Sequence, residues 1–132
     1  MTALNGKWSY RSFCPTRGTP EREPQIAAPW SPAGVMDVVS DAAGKIYGEL
    51  IFGAGQKELR LKITGRLTPE QAGLPEGIEL VGEGPNDSLT QLRGYFVSGT
   101  QPLIVGTVVA IKNDLALQPP GTSGPFILYP IA

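Results

Sequence analysis

No histidine occurs anywhere in the chain, and Cys14 is its single cysteine. The first absence removes Ser-His-Asp and Cys-His catalysis, histidine metal sites and the usual near-neutral proton switch. The second removes an internal disulfide framework and a cysteine-built zinc site. Excess charge is missing as well: 11 Lys and Arg against 12 Asp and Glu leave a formal net charge of −1. A nucleic-acid groove or a polybasic membrane patch needs a strong positive bias, so neither is expected. The longest apolar stretch, Leu103 to Ile111, falls far short of the roughly 20 residues of a spanning helix. Aromatic residues make up 8% of the chain, too few for the two girdles of an outer-membrane barrel. The segment Met1 to Trp8 has no basic start followed by an apolar run. No secretory signal is read there, and the cytoplasm is the expected compartment.

What the chain does have is punctuation. Its 132 residues suit one domain, residues 1–132, and 17 Gly with 13 Pro leave little room for long helices. The short runs between them are rich in Val, Ile, Leu and aromatics, which predicts strands at 6–13, 35–40, 46–52, 58–66, 78–83, 89–98, 103–112 and 125–131. Turn chemistry separates them at Asp41-Ala42-Ala43-Gly44, Gly53-Ala54-Gly55-Gln56, Gly84-Pro85-Asn86-Asp87 and Gly99-Thr100-Gln101-Pro102. One helical turn is predicted at Thr68 to Gly73, with Thr68 as cap and Pro69 in the first position. The cleanest period of two is at 59–66. There Leu59, Leu61 and Ile63 share one face, while Arg60, Lys62, Thr64 and Arg66 share the other. Gly48, Gly65, Gly82, Gly94 and Gly106 recur once per strand, and such glycines need a cause. Sharp coiling in a small closed barrel is one. The expected fold is all-β, an eight-stranded up-and-down antiparallel barrel, whose closure removes exposed edges.

The segment Leu4-Asn5-Gly6-Lys7-Trp8-Ser9-Tyr10 resembles the opening strand of the calycin group, which includes lipocalins, lipocalin-like domains and avidins. Pro32-Ala33-Gly34-Val35-Met36 and Asp41-Ala42-Ala43-Gly44-Lys45 resemble the second-strand region of the same group. The resemblance covers about the first fifty residues and implies a calycin-type barrel with Trp8 packed in its closed end. Two features depart from it. The last strand carries no Arg to stack on that Trp, and Trp30 is the only other tryptophan, so biotin binding is not expected. The group shares no catalytic chemistry, so it implies a pocket and not a reaction.

In an up-and-down barrel, alternate connections lie at one end, which groups 14–34, 53–57, 84–88 and 113–124 on a single rim. The first and last are the longest. They carry Pro15, Pro20, Pro24, Pro29, Pro32, Pro119 and Pro120, which stiffen a loop. Trp8 falls at the opposite end, so a mouth is expected beneath 14–34 and 113–124. Tyr10 and Ser12 share the parity of Trp8 and are expected inside. Trp30 reads either as a lid over a ligand or as a clasp holding its loop down. The expected ligand-facing set is Tyr10, Ser12, Trp30, Met36, Phe52, Arg93 and Tyr95.

Segment 89–98 leaves two faces open. One holds Leu89, Gln91, Arg93, Tyr95 and Val97; the other holds Thr90, Leu92, Gly94, Phe96 and Ser98. A buried Arg needs a partner, which favours the second set as the inner one. Asp37 and Glu49 are the best acid or base candidates, although solvated outer-face positions suit them better. Cys14 has no neighbouring base and reads as incidental. No cofactor motif is present. The leading expectation is a barrel holding a small, largely apolar or mixed-polarity molecule. The alternatives are a cofactor-free isomerase or cyclase and a protein-binding, inhibitor-like module.

Segments 103–112 and 125–131 break the alternation, being apolar on both faces. A single-walled barrel leaves one face in water, so a homo-oligomer through these two strands is expected. Val108→Glu is expected to dissociate it without unfolding the barrel.

Overall fold

The computed structural model describes residues 4–15, 21, 23, 26–30, 33–53, 58–99, 101–112 and 120–131. Among them, strands form at β1 (Gly6–Pro15), β2 (Ile26–Pro29), β3 (Gly34–Ser40), β4 (Lys45–Phe52) and β5 (Leu59–Thr68). They continue at β6 (Gly77–Gly84), β7 (Ser88–Val97), β8 (Leu103–Lys112) and β9 (Ser123–Pro130). Every pairing is antiparallel. The strands β1 and β3 to β9 run in chain order, and β1 pairs back onto β9 from Trp8↔Pro130 to Ser12↔Phe126. That last pairing closes the sheet, so the eight-stranded barrel is as expected.

Two local expectations fail. The region 14–34 is not only a connection: β2 pairs with the upper end of β1, from Phe13↔Pro29 to Pro15↔Ile26. A four-residue strand containing proline is too short to show a period. No helical turn forms at 68–73, because β5 runs on to Thr68. Gln71 and Leu74 then exchange backbone hydrogen bonds around Ala72 and Gly73, whose φ angles are 52° and 84°. Two successive positive φ angles make a tight hairpin turn, incompatible with a right-handed helical one.

Trp8, Met36, Leu50, Ile63, Leu80, Leu92, Ile104, Leu128 and their neighbours meet inside the barrel in one cluster. Their alternation with exposed residues follows the pleat. Leu4 is fully buried at the lower end, where its N–H donates to Ser40 Oγ at 3.0 Å. Ser40 N–H in turn donates to Asn5 Oδ1 at 2.8 Å. These bonds tie the chain start across the end that Trp8 occupies.

The repeated glycines mark close approach of neighbouring strands. A Cβ on Gly48, Gly65 or Gly106 would collide with the carbonyl oxygen of Asp37, Glu79 or Arg93, nearer than any real Cβ contact. Gly94 and Gly106 face each other across β7 and β8, and a Cβ on Gly94 would stand 3.0 Å from the tip of the Phe126 ring. Gly82 is the exception, with its nearest neighbours at an ordinary 3.4 Å. Gly106→Ala is therefore expected to cost at least about 2 kcal/mol, since backbone cannot yield as a side chain does. Gly82→Ala should change stability by less than about 1 kcal/mol. Urea denaturation of the two variants checks the contrast, and equal effects would refute this account of the glycines.

Candidate functional site

Strand direction places the connections after β1, β4, β6 and β8 at the upper end, opposite Trp8. Of the rim prolines, Pro20, Pro24, Pro32 and Pro119 lie outside the described residues. Below that rim, Tyr10 is buried and meets two rings. Phe52 packs edge-on against it, with centroids 6.0 Å apart and planes at 71°, and Phe126 lies at 6.0 Å with planes at 31°. Gly34 provides the room for Phe52, because a Cβ there would stand 2.8 Å from its ring. Gly94 does the same for Phe126. Three aromatic rings thus gather at this level because two glycines vacate the space they fill.

Ser12 is buried one inward position above Tyr10. Cys14, one step higher on the same face, is half-buried against the core. Trp30 is buried as part of the core cluster, and its backbone N–H donates to Ser12 O at 2.8 Å. That geometry is the clasp and not the lid. Met36 is fully buried in register with both Trp8 and Leu50, which makes it a core side chain.

Arg93 and Tyr95 do not join this group. Leu92 and Gly94 are the buried residues of β7, while Tyr95 is 44% exposed and Arg93 reaches Glu79 on the outer wall at 3.8 Å. The cost of burying an unpaired guanidinium decides the parity. Asp37 and Glu49 also point outward, and Glu49 pairs with Arg60 at 2.7 Å.

Two residues escaped the sequence reading. Phe126 sits on a segment apolar on both faces, so its inward direction had no contrast to reveal it. Ser88 begins β7 on the face shared with Leu92 and Gly94. It is only 4% exposed, and its hydroxyl has no hydrogen-bond partner. The parity of Leu92 would have exposed it, had the face of that strand been known. The other orphan is the indole N–H of Trp8, at the closed lower end.

Electrostatically the interior is plain. Among the described residues Ser12 and Ser88 are the buried polar ones, and every Asp, Glu, Lys and Arg lies on the outer face or at an end. The resolved pKa shifts are both on the outside. Hydrogen bonding to Glu58, with the charges of Glu49 and Glu58, raises Arg60. Hydrogen bonding to Ser9 and the nearby Arg11 charge lower Tyr129, outweighing its slight desolvation. General acid or base chemistry inside would fall to Tyr10 or Cys14, the two inward titratable groups among the described residues.

Compared with protein-family models, curated proteins and solved structures, the chain matches none. Among the described residues no helix is long and apolar enough to cross a membrane.

A buried hydroxyl without a partner carries its desolvation cost uncompensated, of order 1–3 kcal/mol. Ser88→Ala is therefore expected to stabilise the unliganded protein by about 1 kcal/mol, read as a raised denaturation midpoint. A loss of stability of that size would show that the hydroxyl is satisfied.

Proposed function

We propose that the protein is a binding barrel for a small, neutral and largely apolar molecule, held at the upper end of the barrel. The observation that carries this reading is Ser88. Its hydroxyl is kept buried and unpaired at the rim end, a cost that a ligand donor or acceptor would remove. The rings of Tyr10, Phe52 and Phe126 supply the apolar surface, and buried Ser12 offers a second polar contact. An interior without charge disfavours an ionised ligand, whose desolvation nothing inside would offset. Eight strands enclose only enough space for side chains or one small ligand. The core cluster takes up the part around Trp8 and Met36, so the ligand belongs at the level of the aromatic rings. The calycin-type reading of the barrel rests on Leu4, Gly6 and Trp8 together with this architecture. It agrees with a binding role without specifying a ligand.

Thermal-shift measurement against medium-chain alcohols, ketones and the corresponding carboxylates tests the proposal. Neutral members are expected to raise the melting temperature, with about 2.7 kcal/mol added at a hundred times Kd. Ser88→Ala should weaken that binding about tenfold, and the carboxylates should have little effect. A panel without any stabiliser, or stabilisation indifferent to both Ser88→Ala and Ser12→Ala, would refute the site. Product analysis on each hit separates a binder from an isomerase or cyclase.

A further inference from the structure

The outer walls of the barrel are of two kinds. Over β4 to β6 the outward side chains include Glu49, Arg60, Lys62, Arg66, Glu79 and Glu83, with Arg60–Glu49 at 2.7 Å and Arg66–Glu79 at 2.8 Å. That wall is suited to water. Over β7 to β9 the outward rows are Tyr95↔Val105↔Ile127 and Val97↔Leu103, with Tyr129 and Ile131 beside them. Val109 and Ile111 carry the apolar surface toward the upper end of β8, where Thr107 is the only polar outward residue. Tyr95, Val97, Val105, Ile111, Tyr129 and Ile131 all count among the large exposed apolar side chains. A cleft of about 270 Å³ opens beside them, lined in part by Val97, Pro102, Leu103 and Tyr129.

We infer that this wall is the contact face of a two-fold dimer of the chain. Its size fits. The wall with its two flanking strands, β6 and β1, spans five strands at about 4.8 Å each and is about 33 Å long, or roughly 800 Å². Each partner of a standard stable interface buries about that much. Its charges fit as well. The β5–β6 hairpin brings Glu70 and Glu76 to a cleft shared with Val97 on one flank. The other flank is β1, with exposed Lys7 and Arg11. Between them on the upper part of the wall, Arg66 and Arg93 are already engaged by Glu79. A two-fold axis lying in the contact plane and parallel to β8 sets the acidic flank of each copy against the basic flank of the other. The contact is thus self-complementary in the way an isologous interface requires. It lies apart from the upper end of the barrel and stands independently of the ligand reading.

The structure also corrects the choice of probe. Val108 is 2% exposed and faces the core, so Val108→Glu would disrupt the barrel itself. Val105, 39% exposed, is the central outward residue. Sedimentation velocity of the full chain at micromolar concentration is expected to show a dimer. Val105→Glu should give a monomer with an unchanged far-ultraviolet circular dichroism spectrum, and Tyr95→Lys serves if that variant does not fold. Val39→Glu, on the far wall, should leave the dimer intact. Lys7→Glu should raise the dimer dissociation constant about tenfold, and adding Glu70→Lys should restore it. A wild-type monomer, or a dimer indifferent to both wall substitutions, would overturn the proposal. Failure of the charge exchange to restore affinity would overturn the assigned axis.

Discussion

Closure of β1 onto β9 is the constraint on which the rest of the molecule depends. A sheet curled this tightly brings neighbouring backbones so near that an ordinary residue does not fit at certain crossings. At Gly48, Gly65 and Gly106 the carbonyl oxygen of the next strand occupies the place a Cβ would take. With glycine there the strands coil and close, and no long edge is left to pair with another chain. Closure also fixes parity all the way round. Once Trp8 points inward, Tyr10 and Ser12 do so too, and the register carries that choice through Met36, Leu50 and Leu61. The same glycines that allow the bend leave room for Phe126 and Phe52, so barrel geometry and the aromatic cluster at the upper end have one cause.

The molecule keeps its charge outside. Ionised side chains lie on the wall or at the ends, several in pairs, and what is polar inside is a pair of serines. This separation is ordinary for a small barrel, because an unpaired ion would cost more to bury than the fold could offset. It also narrows the chemistry, favouring recognition by shape and one or two neutral hydrogen bonds. Ser88 departs from the separation in a small way. An alanine would fill nearly the same volume without the desolvation cost, and a residue that costs stability at a rim points to use.

Much of the fold was legible because its signals are local. Proline, glycine and Asx chemistry mark the turns, as where Asp41 Oδ1 accepts from the N–H groups of Ala43 and Lys45. The alternation at 59–66 shows which way β5 faces. Parity from Trp8 locates Tyr10 and Ser12 without further help. The failures come where local contrast disappears. In β8 both faces are apolar, so nothing in the residues distinguishes Val105 from Val108; only pairing across the closed sheet does. In β7 the order Arg93-Gly94-Tyr95 offers a plausible face either way, and solvation of Arg93 decides it. Ile26-Ala27-Ala28-Pro29 is too short to declare itself a strand. Ser88 looks like a turn residue until its neighbours bury it. Tertiary closure, not propensity, settled each of these.

The central claim is a neutral ligand site at the upper end of a closed, uncharged barrel. Amide chemical-shift mapping during a titration with 1-octanol tests it most directly. The account predicts saturable shifts concentrated at Ser12, Phe52, Ser88 and Phe126, with the lower end around Leu4 and Trp8 unmoved. Shifts confined to the outer wall of β8 and β9, or none up to the solubility limit, would contradict it.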